Sequence, residues 1–359
     1  MSRGPLFPSR GWSLLELLIA MTLSLLVIAG IGQIYLAAKR SYDIQTNLAQ
    51  IQDVGRYVTD TLIQDIRTAG YWDLMNINLA DSTPNDDPDF SPTPASPDRY
   101  FLTGDVIPGG CPGTNATDWG KMITQRIFGI NDTDPSTIPA PNTYNCISSW
   151  LRGDVLVVRY ADPAIVTGSF TGTRSYIRTS PFQGILTSGD PNTTAANFAT
   201  TYSAFDPLLI DTVTSAHAVV AHAYYVASPI STACGNVPVL AREYLLSNGT
   251  PSKAPLVNGV ELLEFQYGVD TAVSALNPAG DGSVNEYVDA DQITCTGGTP
   301  CWNQIRAVRF WALVRANCQE SGYTDTTAYQ LGDTTYTPGD HYRRALYSST
   351  VALRNLGGL

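Results

Sequence analysis

Polar and apolar positions divide the start of the chain sharply. Residues 1–11, MSRGPLFPSRG, hold Arg3 and Arg10, two prolines and no acid. From Trp12 to Ala38 the sequence is almost unbroken in its apolarity, and between Leu17 and Ala38 it carries no charge. A helix rises about 1.5 Å per residue, so this run is long enough to cross the hydrocarbon core of a bilayer. It is too long for the apolar core of a secretory signal peptide, which ends after about 7 to 15 residues at a small-residue cleavage site. Beyond the run the pattern becomes amphipathic. Ile44, Leu48, Ile51, Val58, Leu62 and Ile66 recur at helical spacing, with Lys39, Arg40, Asp43, Asp53, Arg56 and Asp60 between them. With Gly70 as the stop, one helix is predicted from about Ser13 to Ala69, on the order of 85 Å long. Gly30 and Gly32 each weaken that helix by about 1 kcal/mol relative to Ala. They fit either a segment that stretches or melts locally in an assembly, or close packing between helices.

The rest of the chain reads as strands and turns. Asp81–Asp98 carries five prolines among several acids and marks an exposed loop, as a spacer or a binding loop. Runs rich in β-branched and aromatic residues follow at Asp154–Tyr160, Ala218–Ala227, Val237–Leu246, Val260–Val269, Ile305–Arg315 and Tyr342–Leu353. In the fourth, Leu262, Phe265 and Tyr267 mix with Glu261, Glu264 and Gln266, a partial alternation that predicts one buried face. A helix laid over an antiparallel sheet covers such a face. The predicted fold class is therefore α+β, a long N-terminal helix, first transmembrane and then amphipathic, packed on a mostly antiparallel β head.

Composition narrows the function. Charged residues are only 15% of the chain, and the 21 Lys and Arg are scattered against 32 Asp and Glu for a net charge of -11, which disfavours non-specific nucleic-acid binding. The six cysteines, Cys111, Cys146, Cys234, Cys295, Cys301 and Cys318, contain no CxxC pair and fit disulfides in an oxidising compartment better than zinc or redox chemistry. Closure of the short Cys295 to Cys301 loop across Gly297, Gly298 and Pro300 is the favoured pairing. By elimination it leaves Cys111 with Cys146 and Cys234 with Cys318. The sequence alone does not choose among the possible pairings. Arg3 and Arg10 before the span are matched by Lys39 and Arg40 after it, a tie under the positive-inside rule. The cysteines break the tie by requiring the C-terminal part outside the cytoplasm.

Glu16 stands alone at the edge of the apolar run, where a carboxylate costs free energy unless it is paired or protonated. The sequence Gly11-Trp12-Ser13-Leu14-Leu15-Glu16-Leu17-Leu18-Ile19 resembles the signal of type IV prepilins: a short basic leader ending in Gly, an aromatic residue, and Glu at the fifth mature position. The resemblance implies that prepilin peptidase cuts between Gly11 and Trp12 and that the new amine of Trp12 is methylated. It also implies that Glu16 serves filament docking by pairing with the first residue of a neighbouring subunit. Cleavage would place a positive amine four residues before Glu16, near it on one helical face. Trp12 departs from the usual Phe but keeps an aromatic residue at the membrane interface.

Further stretches resemble PilW-type minor pilins: Gly55–Trp72, Asp154–Asp162, Ala223–Ala227, Asn258–Thr271, Trp302–Ala316 and Arg343–Asn355. The domains expected are a leader at 1–11, a transmembrane and filament-core helix at 12–38, its amphipathic continuation at 39–69, and a β-rich, disulfide-bonded head at 70–359. The resemblance implies a minor pilin that helps initiate type IV pilus assembly and joins the filament or its tip complex, in support of motility or adhesion. Implied partners are other minor pilins and the major pilin, prepilin peptidase, the inner-membrane assembly machinery and a tip adhesin. The implied location is the bacterial inner membrane, crossed once with the head in the periplasm, and then the filament at the cell surface. Alternatives are a minor pseudopilin of a type II secretion system, or a tip module that binds surfaces or DNA.

Enzymatic signals are sparse. His217 and His222 lack the HExxH arrangement and read as strand or core residues, and there is no GxSxG elbow, phosphate loop or dinucleotide turn. No enzyme activity, catalytic residue or cofactor is expected. An acidic segment after the fourth strand offers oxygen donors, with Asp270, Asp281 and Asn285 as calcium candidates. It departs from the EF-hand pattern, having Ala279 and Val288 at two ligand positions, and a solvated acidic loop is the default.

Overall fold

The computed structural model describes residues 13–73, 126–137, 146–147, 149–167, 170, 174–179, 184–188, 215–246, 251–272, 280–293 and 301–355. The chain divides into two compact units, Met1–Ala49 and Gln50–Leu359. The expected loop at Asp81–Asp98 lies outside the described residues.

Helix α1 runs Leu14–Thr68, a stretch free of proline. Its end is built by Gly70 and Asn355. Gly70 takes a left-handed φ of 74° and donates its N–H to the Arg159 carbonyl at 2.9 Å. The Asn355 side-chain amide donates to the carbonyls of Arg67, Thr68 and Ala69 at 3.2–3.3 Å, satisfying acceptors that a helix C-terminus leaves open. A Cβ at Gly70 would lie 2.8 Å from the Asn355 carbonyl oxygen, so this stop requires glycine.

Among the described residues thirteen strands follow: β1 Ile127–Ile130, β2 Trp150–Ile165, β3 Ser175–Thr179, β4 Gly184–Ser188, β5 Ser215–Thr232, β6 Gly235–Leu245, β7 Pro251–Asn258, β8 Val260–Val269, β9 Glu286–Val288, β10 Ile305–Arg315, β11 Tyr329–Leu331, β12 Thr334–Tyr336 and β13 Arg344–Ala352. Every pairing among them is antiparallel. The larger sheet has the order β1-β2-β5-β3-β4, with β6 also on β5 and β7 on β6; the second is β13-β10-β8-β9, and β11 and β12 form a hairpin. The chain passes from the larger sheet to the second at Gly259, whose φ of 99° and 2.8 Å Cβ approach to the Arg315 carbonyl oxygen leave no room for a side chain.

Within the second unit, Ile51, Val54, Val58, Leu62 and Ile66 of α1 enter one core with Leu156 and Val158 of β2, Tyr224 and Val226 of β5, Phe265 and Tyr267 of β8, and Val308 and Phe310 of β10. Both sheets thus contribute to the surface under the helix. The far face of the larger sheet has its own apolar layer, including Val155, Val157, Ala221, Ala223 and Tyr225. The far face of the second is covered by Leu331, Tyr329 and Tyr336 of the hairpin, over Leu262, Leu313 and Trp311.

That hairpin corrects the expectation of one buried face for β8. Glu261 is 2% exposed and Glu264 1% exposed, so both faces of the strand are covered. Glu261 is held by the Arg344 guanidinium, with Nε 2.5 Å from Oε2, and by the Tyr336 hydroxyl at 3.1 Å. Arg344 also reaches Asp340 at 2.6 Å and Asp325 at 3.4 Å, a set of charges that is tolerated in the interior because each finds a partner.

Candidate membrane and filament interface

Ser13 and Glu16 open the helix with a reciprocal pair of bonds: the Glu16 amide donates to Ser13 Oγ at 3.1 Å, and the Ser13 amide donates to a Glu16 carboxylate oxygen at 3.4 Å. This is a capping box, legible in the spacing Ser13-Leu14-Leu15-Glu16 but absent from the reading of Glu16 as a docking group. It gives Glu16 a local partner before any neighbouring subunit is considered. Gly11 and Trp12 lie outside the described residues.

From Leu14 to Leu36 the helix leaves Leu, Ile, Val, Met and Tyr side chains exposed on every side, including Leu15, Ile19, Leu25, Ile28 and Ile34. A helix apolar all round belongs in a membrane or in the interior of an assembly. Its hydroxyls suit that setting. Thr22 donates to the Leu18 and Ile19 carbonyls at 3.1 and 2.9 Å, and Ser24 donates to the Ala20 carbonyl at 2.7 Å, so each polar group is satisfied within the helix. At Gly30 and Gly32 a Cβ would meet nothing within 4 Å, which leaves two shallow places on the helix surface where another helix can approach.

In the second unit the helix is fixed to the sheets by two devices beyond its apolar face. The hydroxyl end of the Tyr347 ring of β13 packs against Gly55, where an added Cβ would come within 2.1 Å of ring carbon, and its hydroxyl donates to the Ile51 carbonyl at 3.1 Å. One turn from the helix end, the Asp65 carboxylate accepts the Tyr160 hydroxyl at 3.1 Å and the Tyr224 hydroxyl at 2.5 Å, and stands 2.5 Å from His222 Nδ1. Burial raises the Asp65 pKa, but bonding and attraction to His222, with the two hydroxyls, outweigh it and hold the group below the usual carboxylate range. The amphipathic pattern places Asp65 on the helix but gives no sign of its partners, which come from β2 and β5.

The histidines therefore sit in strands, as read from the sequence: His217 and His222 are both in β5, and His217 Nδ1 lies 2.7 Å from the Asp162 carbonyl oxygen. The calcium candidates share the segment after β8. Asp270 accepts from Arg306 Nε at 3.0 Å and from the amides of Ala272 and Gly282; Asp281 accepts from Ser283; Asn285 accepts from the Thr271 amide at 2.8 Å. Their oxygens stabilise a turn and a buried ion pair. A separate acidic group, Asp132, Asp154 and Glu264, converges where β2 meets β8.

Cys234, in the β5–β6 turn, is joined to Cys318 beyond β10, with Cα atoms 4.9 Å apart. Cys146 is also in a disulfide. Cys111, Cys295 and the side chain of Cys301 lie outside the described residues, so the pairing of Cys295 with Cys301 does too.

Residues 223–355 match the family model for PilW, type IV pilus-assembly protein W. No curated protein and no solved structure matches the chain. The match runs from β5 to Asn355, the residue that caps α1, and so takes in the whole second sheet against which the helix packs. Over those residues the chain is similar to PilW, a likeness that supports involvement in type IV pilus assembly.

Proposed function

We propose that this PilW-type protein works as a minor pilin: the apolar half of α1 anchors it in the inner membrane and later enters the filament core, while the β head selects neighbouring subunits. The observation that carries this reading is the helix itself. Its first half exposes large apolar side chains in every direction, and its second half is built into the family-matched head. Glu16, at the head of the apolar run, is the docking group in this scheme. The positive N-terminus of a neighbouring subunit competes with the Ser13 amide for its carboxylate, an exchange favoured because a full charge attracts more strongly than one amide. Cleavage between Gly11 and Trp12, methylation of Trp12, and assembly with other minor pilins, the major pilin and the inner-membrane machinery complete the proposal.

The test is replacement of the chromosomal copy by Glu16→Ala and Glu16→Gln variants. Both are expected to leave the protein stable in the membrane fraction and to abolish surface pili and twitching to the level of a deletion. Normal piliation from both variants at wild-type expression would contradict a docking role. Loss of protein secretion with pili intact would move the protein to a type II secretion system.

A further inference from the structure

The junction between the two sheets is built around carboxylates that form no ion pair among the described residues. Gly153, with φ of 74°, brings β2 so close to β8 that a Cβ would stand 2.7 Å from the Leu263 carbonyl oxygen. The next residue, Asp154, accepts the Phe265 amide of β8 at 2.7 Å and the Asp132 amide, just past β1, at 3.0 Å. Glu264 extends from β8 toward the same place. One carboxylate oxygen from each of Asp132, Asp154 and Glu264 lies within 4.8 Å of the other two. Asp154 and Glu264 are each 1% exposed, whereas Asp132 is exposed and opens the group to solvent.

Glu264 is the informative member. Among the described residues neither of its buried oxygens has a donor, and the group it faces is the Asp154 carboxylate, a costly state for a carboxylate that is not protonated or metal-bound. The neighbourhood makes matters worse: burial first, and then the charges of Asp154, Asp132 and Asp333, push Glu264 far above the usual carboxylate range. Asp154 is raised as well, chiefly by burial, despite its two amide donors. Protons shared within the pair, or a metal ion, are the two ways to neutralise such a group.

We propose that Asp132, Asp154 and Glu264 form a calcium site that joins β1, β2 and β8. The donors are all oxygens, which select hard cations over zinc or copper. Their oxygens lie within 4.8 Å of one another, close enough for one ion to reach all three. Calcium accepts irregular oxygen cages, whereas magnesium demands near-ideal octahedral geometry and gives up its water reluctantly, so carboxylates gathered from three separate places in the chain suit calcium better. The Thr334 hydroxyl, which donates to Asp132 at 3.1 Å, steadies the exposed ligand from the β11–β12 hairpin. The site is distinct from the Asp270 segment, whose oxygens already serve Arg306 and backbone amides, and it stands whether or not the chain enters a filament.

The experiment uses the full chain in detergent, stripped with a chelator and titrated with calcium chloride, in parallel with magnesium chloride, by calorimetry and thermal unfolding. Calcium is expected to bind at one site and raise Tm, with magnesium weaker. Asp132→Asn should weaken calcium affinity by more than the roughly tenfold typical of an outer-shell change. Glu264→Gln should abolish the response while leaving the calcium-free Tm no lower than wild type, because it removes a buried like charge. Absence of any calcium response in folded wild-type protein would overturn the proposal in favour of a proton-sharing pair. So would a response that survives in both variants but is lost in Asp281→Asn.

Discussion

Asp65 and Gly55 show how single residues fix the helix to the head. Asp65→Asn keeps the shape but removes the charge that faces His222 and two buried hydroxyls, and should cost about 2–3 kcal/mol in urea unfolding. The folded pKa of Asp65 lies below its ordinary 3.8, so its contribution is present above about pH 4 and is lost as the pH falls through the lower folded value. The Asn variant should lack that acid-side loss, measurable as a flatter stability profile below pH 4. At Gly55, helix propensity alone favours Ala by about 1 kcal/mol, yet the Tyr347 ring occupies the space of the new methyl group. Overpacking should win, giving a net loss of about 1–3 kcal/mol. Adding Tyr347→Leu should recover part of it, and a Gly55→Ala variant more stable than wild type would show that the ring moves aside freely. Neither partner was visible in the sequence, because Tyr160, Tyr224, His222 and Tyr347 are brought to the helix by strands far along the chain. The Ser13 and Glu16 capping box is by contrast a local pattern that the sequence offers, although Glu16 was read there only as a docking group.

At the scale of elements, legibility followed burial pattern. The helix was read to within one residue at each end, because its apolarity, its freedom from proline and its Gly70 stop are all local signals. Strands β8 and β10 were read with their observed bounds, as continuous apolar-rich runs between turn residues. Strand β7 was missed because Pro251 and Pro255 argue against a strand; it pairs only with β6, and an edge is where proline is tolerated. The two-sided burial of β8 was missed because the acids look solvated until Arg344 and the β11–β12 hairpin close over them. The Cys234–Cys318 bond ties the β5–β6 turn of one sheet to the segment leaving the other, across a sequence separation of 84. Replacing both cysteines by serine should lower stability by about 2–5 kcal/mol, read as a lower urea midpoint in oxidised protein. An unchanged midpoint would mean that the Arg315 guanidinium, which donates to the Asn236 carbonyl at 2.6 Å, holds the two elements together with the sheet junction.

At the scale of the whole molecule, the chain combines a segment that exposes large apolar side chains all round with a head that has a core of its own among the described residues. The exposed apolar half of α1 calls for a membrane or other helices around it, and the likeness of residues 223–355 to PilW supports a part in type IV pilus assembly. The Asp132, Asp154 and Glu264 group was not legible beforehand, because its members are far apart in sequence and meet only when β2 packs on β8. The proposed function requires that the chain be made as a prepilin and matured into a filament subunit. Intact mass of the membrane-extracted protein, from cells with and without prepilin peptidase and beside a Gly11→Ala variant, tests this. Peptidase-dependent loss of residues 1–11 with one methyl group added at Trp12 is expected, and an unprocessed chain in the variant. A full-length, unmethylated N-terminus in wild-type cells would contradict it.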